Sequence, residues 1–238
     1  MYTPDFADKT WKHYFMVIAC SVLFFDSPAY AQEEKLFDGK SLDHWDFTKN
    51  GWYIAEGSMT CRMQMVKQKN GEFRKRGMGY IWSKKQYQDF ELRLSYKLSE
   101  AANSGVFFRT DKDNPVQGGF EIQLMDDAGY QKLKGKKDPK NLNGAFYDCQ
   151  GASKDTQKPA GEWNQFTLTC KGSKLSIKIN GEVVNEADMS RWDTARKNPD
   201  GSANKFKTAL KDLPHTGYIG FQNHGQQVWF KDVIIREL

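Results

Sequence analysis

Phe90-Glu91-Leu92-Arg93-Leu94-Ser95-Tyr96-Lys97-Leu98 alternates apolar and polar side chains without a break. Only an extended strand puts every apolar group of such a run on one face and every polar group on the other. A strand with one apolar face must be covered by a second layer. Trp163–Cys170 and Leu175–Ile179 follow the same rule, and Asn180-Gly181 then predicts a two-residue hairpin into Glu182-Val183-Val184. Val228–Arg236 is nearly continuous in apolar residues, which predicts a strand buried on both faces. No long stretch carries a helical period, and short helical turns are expected only at Met189–Arg196 and Lys205–Leu210. The pattern as a whole predicts an all-β sandwich of two antiparallel sheets.

The N-terminus reads as a targeting signal. Lys9, Lys12 and His13 precede the apolar run Tyr14–Phe25, Asp26-Ser27-Pro28 breaks it, and Ala29-Tyr30-Ala31 supplies a small-x-small cleavage site. The run falls short of the roughly 20 apolar residues of a membrane span. The expectation is a signal peptide over 1–31 and a single exported domain over 32–238, in the periplasm or at the cell surface, with no membrane span after cleavage. Lipoprotein anchoring at Cys20, in Val17-Ile18-Ala19-Cys20, is the less favoured alternative because the apolar run continues past it. Without Cys20 the chain keeps Cys61, Cys149 and Cys170, an odd set in which at least one thiol lacks an intrachain disulfide partner. They show no Cys-x-x-Cys zinc spacing. The formal charge of +5 is spread out, and Lys132-Leu133-Lys134-Gly135-Lys136-Lys137 reads as the only dense basic cluster. Flanked by Gly, Asp and Pro, it suits a solvated loop better than a nucleic-acid surface, so no nucleic-acid partner is expected.

Chemistry gathers in three runs. In Gly118–Asp126, Phe120, Ile122 and Leu124 point to a core while Glu121 and Gln123 point away from it. Ser104–Arg109 ends in Arg109, and Tyr218–Gly225 sets Gln222 and His224 opposite Ile219 and Phe221. Together they predict one polar face carrying Arg109, Glu121, Gln123, Gln222 and His224. A conventional glycosidase needs two carboxyl groups, about 5–5.5 Å or about 6.5–9.5 Å apart. Glu121 and Asp126 are separated by an odd number of residues, which puts them on opposite faces and roughly 16 Å apart along a regular strand. A bulge at Met125 would be needed to unite them. Glu121, Asp126 and His224 are competent ligands for a divalent metal ion, Mg²⁺, Mn²⁺ or Zn²⁺ as an electrophile or Ca²⁺ as a structural ion. Their spacing matches no ligand signature, and the ion stays unassigned. Asn103-Ser104-Gly105 reads as turn chemistry, and Trp163 and Trp229 as core aromatics.

Seven motifs occur in order: Leu36-Phe37-Asp38-Gly39-Lys40-Ser41-Leu42, Asn103-Ser104-Gly105, Phe120-Glu121-Ile122-Gln123, Gly161-Glu162-Trp163-Asn164, Ile179-Asn180-Gly181, Gly220-Phe221-Gln222-Asn223-His224-Gly225 and Phe230-Lys231-Asp232-Val233. With them the chain resembles the 3-keto-disaccharide hydrolase family of exported bacterial domains, from about Glu34 to Leu238. The resemblance implies a concanavalin A-like jelly-roll sandwich with a carbohydrate site on its concave sheet, and action on sugars oxidised to a ketone at carbon 3. Such a ketone acidifies the hydrogen on carbon 2, so one base can remove it and the enolate can expel the group on carbon 1. Glu121 or His224 would be the base, Arg109 the enolate stabiliser, and Tyr147 the donor to the leaving oxygen. Gln123, Gln222, Asp126 and Lys231 would contact the sugar. Two departures stand out: Lys231-Asp232 where the family often has Arg-Asn, and a long, charged stretch over Arg191–Asp212. A non-catalytic carbohydrate-binding module on the same fold is the alternative, and a conventional glycosidase the third reading.

Overall fold

The structure, a computed structural model, describes Met1 and residues 32–238, which apart from Met1 belong to one compact unit, Ala31–Leu238. The expected signal peptide, with Cys20, otherwise lies outside the described residues. The strands are β1 (Glu33–Phe37), β2 (Trp45–Phe47), β3 (Trp52–Ala55), β4 (Ser58–Cys61), β5 (Met63–Lys67) and β6 (Phe73–Gly77). Then come β7 (Ile81–Tyr87), β8 (Phe90–Leu98), β9 (Asn103–Thr110) and β10 (Phe120–Met125), followed by a helix, α1 (Asp127–Lys134). The chain ends with β11 (Asn164–Lys171), β12 (Lys174–Ile179), β13 (Glu182–Asp188), β14 (Gly217–Phe221) and β15 (Val228–Glu237).

These strands form a jelly-roll sandwich of two antiparallel sheets. The larger runs β13-β12-β11-β8-β15-β4-β3, with β1 also on β15; the smaller runs β10-β9-β14-β7-β2. A separate hairpin pairs β5 with β6. The strand predicted from alternation is β8, and its side chains alternate between buried and partly exposed along its whole length. The hairpin predicted at Asn180-Gly181 forms with both residues at positive φ, as the two-residue turn requires. Between the sheets, Phe221 of β14 stacks on Phe230 of β15 with ring centroids 4.2 Å apart. Ile122, Phe108 and Phe120 from the smaller sheet join Leu92, Leu94 and Phe166 from the larger in one core.

Three expectations are corrected here. β15 is not buried on both faces: Val228, Phe230, Val233 and Ile235 face the core, while Trp229, Lys231 and Ile234 are only half-buried. A register shift between Lys231 and Ile234, with Asp232 at φ 53°, re-phases the strand, so its apolar density spans two phases of one alternation. The Lys132–Lys137 run is no simple loop, since its first half closes α1, a helix too short to show a period in sequence. The second helical turn forms at Leu210–Asp212 and not over Lys205–Leu210, which leaves Lys205 in an irregular segment. Cys61, Cys149 and Cys170 are free and buried, and burial pushes Cys61 up to about 11 and Cys170 up to about 12. Among the described residues no helix is long and apolar enough to cross a membrane.

Candidate active site

The outer face of the smaller sheet carries a polar cleft whose floor is built by Asn103-Ser104-Gly105. The motif opens β9 and is not a turn, which corrects the expectation drawn from its composition. In the antiparallel pairing of β9 with β10, Gly105 lies opposite Gln123 and Phe107 opposite Glu121. A Cβ at Gly105 would overlap the Glu121 carboxylate, so glycine is what lets that side chain lie across the neighbouring strand. Asn103 Oδ1 accepts from Gln123 Nε2 at 2.6 Å, and Ser104 Oγ donates to the Gln222 carbonyl at 2.8 Å. The Gln222 N–H donates in turn to Gly105 O. Gln222 Nε2 then donates to Glu121 Oε1 at 3.0 Å. Gln222 Oε1 is buried with no partner, an acceptor left for a ligand hydroxyl.

These groups line a narrow cavity of about 170 Å³ together with Tyr80, Phe107, Tyr147, Lys205 and His224. Among the described residues Glu121 is its only carboxylate, and it is 5% exposed. Burial pushes the Glu121 carboxyl from the usual 4.5 up to about 7, with Lys205 and Lys137 pulling the other way. Lys205 Nζ stands 3.9 Å from Glu121 Oε2 and 4.5 Å from the Tyr147 ring centre. Burial and the nearby Glu121 charge raise the Tyr147 and Tyr80 hydroxyls. His224 sits at the rim, where partial loss of water, with Arg74 and Lys137 adding to it, lowers its pKa and keeps it neutral near pH 7. Among the described residues no group of three or more His, Cys, Asp or Glu side chains gathers as a metal site.

A carboxylate with a raised pKa makes stability depend on pH. Between about 4.5 and about 7 the folded chain holds a Glu121 proton that the unfolded chain has released, so this group's contribution to stability falls as pH rises through that window. Glu121→Gln removes the cost. It is expected to stabilise the protein at pH 8 by up to about 3 kcal/mol and to change little at pH 4, read from denaturant midpoints at the two pH values.

The structure brings together Glu121, Gln123, Gln222, Tyr147 and His224, but not Arg109, Asp126 or Lys231. Arg109 fails because β9 bulges. Tyr218 and Gly220 of β14 pair with Thr110 and Phe107, so two steps on one strand match three on the other, and Arg109 takes φ 48°. Its guanidinium leaves the Phe107–Glu121 face and is wholly buried, donating to Gln88 O, Gly172 O and Asp89 Oδ1 at 2.7, 2.7 and 2.9 Å. It ties β9 to the β7–β8 link between the sheets and to the β11–β12 turn of the larger sheet. Asp126 lies past the end of β10, where its Oδ2 accepts from the Ala101 N–H at 2.7 Å. Lys231 is on the other sheet, 4.5 Å from the Trp163 ring centre. Trp163 and Trp229 are likewise half-buried on that outer face beside Lys97, and are not core residues.

Lys205, Tyr80, Asn103 and Lys137 were missed in the sequence. Lys205 falls inside the long charged stretch 191–212, and that excess of charge was the one signal pointing to it. Lys137, half-buried with its pKa lowered by burial, belongs to the run expected to be solvated.

Residues 32–236 match the model of a family described as the 3-keto-alpha-glucoside-1,2-lyase-like domain. A 3-keto-disaccharide hydrolase of Bacteroides thetaiotaomicron is 26% identical over 228 residues, covering 85% of this chain and 77% of that protein. A crystal structure of a protein from Parabacteroides distasonis, provisionally described as a glycosyl hydrolase, is 32% identical. It superposes with a TM-score of 0.75, covering 87% of this chain and all of the other. A Bacillus subtilis protein of galectin-like fold, 11% identical, shares the architecture alone, with a TM-score of 0.53 and coverage of 87% and 94%.

Proposed function

Because the chain belongs to the 3-keto-alpha-glucoside-1,2-lyase-like domain family, we propose that it is an exported enzyme that cleaves 3-keto-glycosides by elimination followed by hydration. The carrying observation is a single buried carboxylate, Glu121, with its pKa raised to about 7, in a cavity where no second one is found among the described residues. Acid–base hydrolysis of an ordinary glycoside needs a pair of carboxyl groups. A ketone at carbon 3 needs one base, and a base poised near the working pH is the most effective.

In this reading Glu121 takes the proton from carbon 2, and the electron pair moves onto the carbon 3 oxygen as an enolate. Lys205, the cation nearest Glu121, takes the stabilising role that the sequence assigned to Arg109. Collapse of the enolate breaks the bond from carbon 1 to the leaving oxygen, to which Tyr147 donates a proton. The product is an unsaturated 3-keto sugar. Water then adds to carbon 1 with a proton returning to carbon 2, and His224, neutral at the open rim, takes the water's proton. Net atoms balance as hydrolysis. Gln222 Oε1 and the Gln123–Asn103 amide pair orient sugar hydroxyls.

The test is release of the aglycone from a 3-keto-glucoside, from its unoxidised parent, and from the keto sugar deuterated at carbon 2. Release from the keto sugar alone, slowed by deuteration, is expected. Equal release from the parent would mean a conventional glycosidase, and binding without release a carbohydrate-binding module.

A further inference from the structure

His224 and Tyr80 line a second, wider cavity of about 590 Å³ as well as the narrow one, so the two adjoin at these residues. In the proposed reaction the sugar ring that presents carbon 2 to Glu121 takes the narrow space, and the wide one beside His224 is the adjoining room for the leaving half. The wide cavity is walled by the β5–β6 hairpin, whose residues Arg74, Lys75 and Arg76 line it beside Lys112. Among the described residues no carboxylate lines it. This is a second basic run, which corrects the expectation that Lys132–Lys137 is the only one. Lys112 is held by Asp46 at 3.6 Å, whereas among the described residues Arg74, Lys75 and Arg76 have no carboxylate within ion-pair distance.

The hairpin is docked against the rim. A Cβ on Gly77 would overlap the Asn223 carbonyl, and one on Gly225 would press on Lys75 O at 3.2 Å. Asn223 Nδ2 also donates to Arg62 O at 2.8 Å, just before β5. The two residues flanking His224 are thus the ones that hold β6. Side chains two apart on a strand share a face, so Arg74 and Arg76 project together. Arg74 and Arg76 line the same cavity as His224, which places that face toward the rim. Adjacent like charges without counterions repel one another, and a bound anion relieves the repulsion.

We propose that the wide cavity receives an anionic substituent, a carboxylate or a sulfate ester, on the leaving-group half of the substrate, held by Arg74 and Arg76. Guanidinium groups suit both anions because their fork of donors matches paired oxygens. The proposal rests on the reading of the Glu121 cavity as the seat of the reacting ring.

The test compares kcat/KM for 3-keto-glucosyl-glucose with its counterparts ending in glucuronic acid or glucose 6-sulfate, whose leaving oxygens are alike. A preference of about tenfold for an anionic substrate is expected, shrinking at high salt and lost in the double variant Arg74→Gln, Arg76→Gln. Lys178→Gln, a charge removed from the far sheet, is expected to leave the preference intact. Which of the two anions gains more identifies the source. Cleavage without preference overturns this inference and leaves the proposed function standing. Cleavage of none overturns the proposed function, and calorimetric titration with the unoxidised disaccharides then reads the anion site independently. Tighter binding of the anionic sugar, lost in the double variant, supports the site; equal binding, or no binding, overturns it.

Discussion

Glu121→Gln is expected to lower kcat on a 3-keto-glucoside by about 10²–10⁴-fold, the usual worth of a positioned proton acceptor, with KM changed far less. Gln keeps the shape of the side chain, and its carbonyl oxygen still accepts from Gln222 Nε2. It cannot take a proton from carbon 2. Because the substitution relieves a buried charge, the variant is folded at least as well as the parent above pH 7. Loss of rate there reads chemistry and not unfolding. In the parent, kcat/KM is expected to rise with pH through about 7 as Glu121 loses its proton. A variant that kept its rate within tenfold would remove Glu121 as the base and leave His224 as the candidate. A pH profile without an inflection near 7 would say the same of the ionisation.

Arg109→Ala is expected to behave in the opposite way. The guanidinium is buried and supplies three hydrogen bonds, one of them the 2.9 Å ion pair with Asp89. Its removal strands two carbonyls and a partly buried carboxylate, a loss of about 3 kcal/mol. For a chain of this length that lowers Tm by about 6–12 °C. The folded enzyme, assayed well below its melting temperature, is expected to keep kcat on a 3-keto-glucoside within a few-fold, because Arg109 lies off the cleft. A large fall in kcat with unchanged Tm would return Arg109 to the chemistry.

The two variants mark where sequence reasoning holds and where it stops. Strand alternation holds wherever the ladder is regular. It identified β8 to the residue, the Asn180-Gly181 hairpin, and the outward direction of Glu121 and Gln123 on β10. Ordered motifs carried the family and the sandwich. Alternation fails one residue past a bulge. The left-handed conformation at Arg109 and the register shift near Asp232 each re-aim a side chain, and neither leaves a glycine or proline to announce it.

By itself, then, the sequence determined the layers and the face that bears Glu121, Gln123 and Gln222. These follow from local periodicity, because which side of a strand a residue occupies depends only on its near neighbours. The tertiary structure decided the rest. Lys205 reaches Glu121 from a segment 84 positions away with no period to betray it. Gly105 matters only because another strand's carboxylate must cross it. The basic hairpin meets His224 only when Asn223 and Gly225 dock β6. Burial, which lifts Glu121 toward neutrality, is a property of everything packed around a group, and no stretch of chain contains it alone.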